Sequence, residues 1–160
     1  MKIYKSLNKR YGNLNWWLAD SPYEVMVGAV LTQNTNWGNV EKALANFVKL
    51  GKTLTRELIE EMPPEELIEI IRPAGFFNQK TVYLKAVAAW FKKYNYGVDK
   101  VKSGNLEPLH KELLAVKGFG KETADSILLY AFNFPTFVID AYTRRLLERL
   151  GMKSPKNMTV

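Results

Sequence analysis

The 160-residue chain contains no cysteine and a single histidine. The first absence excludes disulfides, a thiolate nucleophile, an iron–sulfur cluster and a cysteine-based zinc site within these residues. The second leaves His110 unable to build a metal site by itself, and its neighbours Leu109, Lys111 and Glu112 make it read as a surface histidine. Long apolar runs are missing too. The most apolar stretch, Val25 to Leu31, is far too short to span a bilayer, and MKIYKSLNKRYG at the N-terminus has no apolar centre of signal-peptide length. No segment is low-complexity and none repeats. A soluble intracellular protein with no membrane partner is expected.

What is present supports a folded core. The chain is 47% hydrophobic and 24% charged, which is enough to bury a core and argues against disorder. Twenty-three Lys+Arg against 16 Asp+Glu give a formal +7. That balance suits a polyanionic partner, nucleic acid first and an anionic membrane surface second, or serves solubility alone.

Apolar spacing and punctuation are helical throughout. A helix is expected over Lys2 to Tyr11. Ser21-Pro22-Tyr23-Glu24 reads as a capping box with proline at the first helical position, opening a buried helix from Pro22 to Gln33. Val25, Val27 and Val30 would also suit a strand. Asn36 caps Trp37 to Leu50, and Gly51 ends that helix. Thr55 to Glu61 and Pro64 to Ile71 form two short helices. A break at Arg72 to Phe77, with two exposed aromatics, precedes a long helix from Asn78 to Tyr94 bearing Lys80, Lys85, Lys92 and Lys93. Asn105 can cap Leu106 to Val116. After Gly118-Phe119-Gly120 a helix runs to Ala131, its apolar Ala124, Ile127, Leu128 and Ala131 at i, i+3, i+4, i+7. Asp140 opens a last amphipathic helix, which Gly151 stops. Ser154-Pro155 would begin another, so the sequence reads as the front part of a longer protein.

Two features carry chemistry. In Val116-Lys117-Gly118-Phe119-Gly120-Lys121-Glu122-Thr123-Ala124, glycines flank one apolar residue. Such a turn permits positive φ and close backbone approach, and amides at the start of the following helix can bind a phosphate oxygen. Lys117 and Lys121 add positive charge. A plain helix–helix connection would use the same glycines as caps. The second feature is the lone carboxylate Asp140, which is either an N-cap or a catalytic acid behind the clamp.

The first stretch resembles a helix-hairpin-helix DNA-binding motif. The continuation from Tyr130 through Phe134-Pro135-Thr136-Phe137-Val138-Ile139-Asp140 is similar to the loop and aspartate of the helix-hairpin-helix (endonuclease III superfamily) DNA glycosylases. The likeness covers nearly the whole chain. Trp16-Trp17, Leu31-Thr32-Gln33-Asn34-Thr35, Gly75-Phe76-Phe77-Asn78-Gln79-Lys80 and Gly120-Lys121-Glu122 are most like the 3-methyladenine DNA glycosylase III branch.

That resemblance implies an all-α, two-lobed fold. Residues 21–131 would form the central lobe, with the hairpin at 106–131, and residues 1–20 and 132–160 would belong to the second lobe, whose further C-terminal helices are missing here. It implies a monomeric glycosylase of base-excision repair acting on double-stranded DNA with damaged bases, cytoplasmic and at the nucleoid. Asp140 would be the catalytic carboxylate. Gly118, Gly120, Lys117 and Lys121 would hold DNA. Gln33 or Asn34 would fill the gap left by a flipped base, unless they only cap their helix. Trp16, Trp17 and Trp37 would line a base pocket that attracts a cationic alkylated purine through cation–π contact, unless they are core.

Glu122 stands where lyase-active members carry a lysine. Lys121 is one step, about 100°, around the helix, so no Schiff-base step is expected. No cofactor or metal is expected from these residues, while a four-cysteine iron–sulfur cluster beyond Val160, as in some branches, stays open. The alternatives are a mismatch- or oxidised-pyrimidine-specific glycosylase of the same superfamily and a non-catalytic hairpin module that only binds DNA.

Overall fold

Side-chain caps set four of the ten helix starts in the computed structural model, which describes residues 2–14 and 16–152. Ser21 Oγ accepts from the Glu24 amide at 3.1 Å, and Glu24 reaches back to the amide of Asp20 at 3.2 Å, closing the box one residue earlier than the simple motif. Asn36, Thr55 and Asp140 each accept from the amide three residues on, at 3.1, 3.1 and 2.7 Å. Asn105 occupies an N-cap position with extended backbone but its side chain accepts no capping bond, contrary to expectation.

Ten α-helices and no strand are present among the described residues, so the chain is all-α. They are α1 (Lys2–Tyr11), α2 (Pro22–Leu31), α3 (Trp37–Lys49), α4 (Arg56–Glu61), α5 (Pro64–Ile71), α6 (Phe77–Lys92), α7 (Val98–Lys102), α8 (Leu106–Leu114), α9 (Lys121–Ser126) and α10 (Ala141–Arg149). A 3-10 turn, Arg72–Ala74, joins α5 to α6, and α9 runs on as a π-turn over Ile127–Ala131.

Helix α2 is the centre of the packing. Its valines form a helix, not a strand, because tertiary burial overrides their β preference. Eight of its ten residues, Tyr23 and Val25 to Leu31, are buried, and it packs against α6, α9 and the π-turn. Full burial of an aliphatic side chain such as Leu31 stabilises the fold by about 1.5–3 kcal/mol. A second cluster joins Trp90, Phe91, Tyr94 and Phe132 through ring separations of 5.3 to 6.3 Å. Glu112 ties α6 to α8 there, accepting from Trp90 Nε1 at 3.0 Å and Tyr94 Oη at 2.8 Å.

The structure departs from expectation in three places. Helix α7 was not anticipated; five residues carry too little period to be read, and buried Val101 holds it. Helix α6 gives way after Lys92, where Asn95 and Tyr96 both adopt left-handed backbone. Its lysines differ in setting: Lys80 is buried, and Lys85 donates to the carbonyls of Glu60 and Met62 at 2.8 and 2.5 Å. His110 is largely covered rather than free on the surface, its Nε2 3.1 Å from Asp125 Oδ1 without hydrogen-bond alignment. Ser154 and Pro155 lie outside the described residues. Helices α1 and α10 bury no residue among those described.

Candidate functional site

The hairpin between α8 and α9 is built on two glycines with different reasons. Gly118 has φ +85°, and a Cβ there would stand 2.3 Å from Cε1 of Tyr83. Left-handed backbone and ring contact both demand glycine. Phe119 is buried and pins the turn to the core. Gly120 has extended backbone, and a Cβ there would meet nothing within 4 Å. The protein itself does not require glycine at 120. Its absence of a side chain keeps open the space before the first free amides of α9. Lys117 and Lys121 flank that space, exposed.

The loop after α2 docks on this turn. Gln33 Nε2 donates to the Gly118 carbonyl at 3.2 Å and to Thr123 Oγ1 at 3.0 Å. Asn34 is exposed with left-handed backbone at φ 52°. Gln33 is therefore spent on the hairpin, while Asn34 projects from the loop tip.

Between loop, hairpin and α6 lies an open cleft of about 540 Å³. Gln33 and Asn34 form one wall, Lys80 and Tyr83 a second, and Gly118, Gly120 and Glu122 a third, with Ala141 at the end. Lys80 is 1% exposed. Its Nζ turns away from the cleft and donates to the carbonyls of Leu31 and Ala74, each at 2.8 Å. Burial lowers its pKa to about 8, because no carboxylate repays the desolvation of the ammonium.

Asp140 precedes Ala141 and is partly buried, with Oδ1 held by the Thr143 amide at the start of α10. Its charge is felt by two neighbours. Glu122 is open to solvent as a residue, yet desolvation of its carboxyl end lifts it above the usual carboxylate range; Asp140 adds to the lift and Arg144 opposes it. Tyr130 is also raised, by burial first and Asp140 second. Tyr130 sits in the π-turn, a distortion frequent at functional sites because it re-aims side chains.

The tryptophans separate. Trp17 packs edge-on to Trp37, with centroids 5.5 Å apart, and tilted against Tyr130 at 5.3 Å. A Cβ at Gly28 would stand 3.0 Å from Trp17 Cζ2, so a glycine in α2 makes room for this ring. Trp16 is 74% exposed and has no ring partner among the described residues. The structure thus groups Gly118, Gly120, Gln33, Asn34 and Glu122 around one cleft. Trp17 and Trp37 join Tyr130 in an aromatic group, the Asp140 charge reaches both Tyr130 and Glu122, and Trp16 is exposed.

Lys80, Tyr83 and Tyr130 were not singled out from the sequence. Lys80 could have been found, since positions 80, 84, 87, 88 and 91 mark one buried face of α6. Tyr130 could not, because the π-turn shifts the phase of the helix. The chain has no cysteine, and no group of three acidic or histidine side chains converges among the described residues to hold a metal. No helix among them is long and apolar enough to cross a membrane.

Comparison with known proteins gives concordant results. The profile of HhH-GPD superfamily base excision DNA repair proteins matches residues 27–159. A provisionally named DNA repair glycosylase of Methanocaldococcus jannaschii is 48% identical over 158 residues, 97% of this chain and 71% of that protein. An endonuclease III of Sulfolobus acidocaldarius is 32% identical over 139 residues, 84% of this chain and 59% of its own length. Among solved structures, an H. pylori 3-methyladenine DNA glycosylase, MagIII, bound to 1,N6-ethenoadenine, superposes with a TM-score of 0.82 at 32% identity, covering 97% of this chain and 74% of that one.

Proposed function

This chain belongs to the HhH-GPD superfamily of base excision DNA repair proteins, and we propose that it is a monofunctional DNA glycosylase that hydrolyses the N-glycosidic bond of a flipped-out base in double-stranded DNA. The base best suited to it is an alkylated purine such as 3-methyladenine. The observation that carries this reading is the open hairpin N-terminus on a cleft that Ala141 also lines, with Asp140 capping α10 one residue before it.

A base inside a duplex is out of reach and must be extruded, at a cost of a few kcal/mol. The amides behind Gly120 would hold the phosphate beside the lesion, while Lys117 and Lys121 supply salt-dependent affinity. Asn34 is the residue free to enter the vacated stack, because Gln33 is engaged with Gly118 and Thr123. As the glycosidic bond breaks, positive charge grows on the sugar, and the Asp140 carboxylate stabilises it and orients water. The Trp17–Trp37–Tyr130 group offers aromatic faces for a cationic purine, and the likeness to MagIII supports that choice of base.

Two features support hydrolysis without strand cleavage. Glu122 lines the cleft and Lys121 does not. Lys80, an amine on the cleft wall, is buried with its nitrogen committed to two carbonyls. Asp140→Asn is the test. Asparagine still caps α10, so folding and DNA binding should persist while base release falls by at least ~100-fold. Base release at the wild-type rate from D140N would overturn the reading, and borohydride trapping of a wild-type protein–DNA adduct would overturn the monofunctional assignment.

A further inference from the structure

Glu122 is the carboxylate that the mechanism above leaves without a task. It stands on the cleft wall with Gln33 and Gly120, and Ala141, the neighbour of Asp140 in sequence, lines the same cleft. The two carboxylates have unlike surroundings. Asp140 Oδ1 accepts the Thr143 amide at the N-terminus of α10. Glu122 accepts no such bond, and its carboxyl end loses water to the cleft walls with the Asp140 charge nearby. Neighbouring carboxylates in unlike surroundings can divide the work of acid and anion between them.

We propose that Glu122 is the general acid of this site, giving its proton to the departing base, so that uncharged lesion bases fall within the substrate range alongside cationic ones. This rests on the glycosylase reading. A cationic N-alkylated purine leaves without further protonation. An uncharged base leaves as an anion unless a proton arrives, and a positioned acid contributes about 100- to 10,000-fold. In the step, the bond between C1′ and the base nitrogen breaks and its electron pair goes to the base. The Glu122 proton passes to a ring nitrogen or exocyclic oxygen of that base, leaving Glu122 as a carboxylate. Water adds to C1′, and its released proton restores Glu122.

The charged groups around Glu122 agree with this. Arg144 on α10 opposes protonation. From α6, Lys80 turns its nitrogen away to Leu31 and Ala74, and Tyr83 lines the cleft beside it. The loop after α2 presents only uncharged Gln33 and Asn34, and Lys121 beside it is exposed. The N-terminus of α9 favours the anion in the free protein. A DNA phosphate seated there would reverse that influence and exclude water, so substrate binding itself would drive Glu122 toward its protonated form.

The experiment compares wild type and Glu122→Gln on duplexes carrying 1,N6-ethenoadenine, which is uncharged, or 3-methyladenine, which is cationic, each across pH 5 to 9. Glutamine keeps the shape and lacks the proton. The expected result is a loss on ethenoadenine at least ~30-fold greater than the loss on 3-methyladenine. The wild-type ethenoadenine rate should also fall with rising pH, a limb the variant lacks. Equal losses on the two bases, no loss on ethenoadenine, or an alkaline limb that survives in the variant would each overturn the proposal. Wild-type release of 3-methyladenine alone would overturn it while leaving the glycosylase reading intact. If wild type releases ethenoadenine alone, the pH limb decides. Release of neither base counts against both readings.

Discussion

Gln33 Nε2 donates to the carbonyl oxygen of Gly118 across 85 residues of sequence, at 3.2 Å, and to the Thr123 hydroxyl at 3.0 Å. The loop that carries Asn34 and the turn that offers its amides to the cleft are therefore one unit. Replacing Gln33 with alanine leaves the buried Thr123 without this donor and should cost about 1–2 kcal/mol in denaturant unfolding. DNA affinity should fall while its salt dependence keeps its slope. Lys117→Ala or Lys121→Ala, by contrast, should lower that slope by about one phosphate contact each.

The two hairpin glycines should respond differently to the same change. Gly118→Ala meets both a left-handed backbone and the ring of Tyr83, and a loss of roughly 3 kcal/mol or more is expected. Adding Tyr83→Ala removes the clash and leaves the backbone strain, so G118A should cost less in that background. Gly120→Ala has open space around it and should cost about 1 kcal/mol or less. It should nonetheless weaken DNA binding, measured by fluorescence anisotropy, because the methyl group occupies the approach to the α9 amides.

Adjacent tryptophans have unlike roles. Trp17 fills the space beside Gly28 and contacts Trp37 and Tyr130, so Trp17→Ala should lower stability by about 1–3 kcal/mol through a partial cavity. Trp16 is exposed, and Trp16→Ala should stay within roughly 0.5 kcal/mol of wild type. Thermal unfolding of the two variants side by side checks this.

Lys80 gives the fold a pH signature. Its folded pKa of about 8 lies below the ordinary lysine value of 10.5, so between those values the unfolded chain binds more protons and stability rises with pH. The contribution is fully present above about 10.5 and is lost as pH falls through about 8. A neutral amine still has two hydrogens for the Leu31 and Ala74 carbonyls. Lys80→Met strands both carbonyls and should cost on the order of 2–4 kcal/mol. The gap between wild type and K80M should widen by on the order of 1–3 kcal/mol between pH 8 and 10. A constant gap in urea titrations across that range would show that Lys80 keeps its ordinary pKa.

Local signals carried far in this chain. The caps at Ser21, Asn36, Thr55 and Asp140 act within one turn, and three-residue spacing reveals them. The apolar period of the hairpin's second helix marked Ala124, Ile127, Leu128 and Ala131 as buried. Helix α7 and the left-handed pair Asn95-Tyr96 were not legible, because five residues and two dihedrals leave no periodic trace.

The sequence by itself determined the all-α class, the position of the hairpin, the lone carboxylate at Asp140 and the glutamate at position 122, since each depends on residue type and short spacing. Only the tertiary structure decided what those residues face. It bound Gln33 to Gly118 and freed Asn34, turned Lys80 inward, paired Trp17 with Trp37 while leaving Trp16 in solvent, and set Asp140 close enough for its charge to reach Glu122 and Tyr130. These relations join residues from 10 to 85 positions apart. The packing of α2, α6 and the π-turn creates them, and no local pattern encodes that packing.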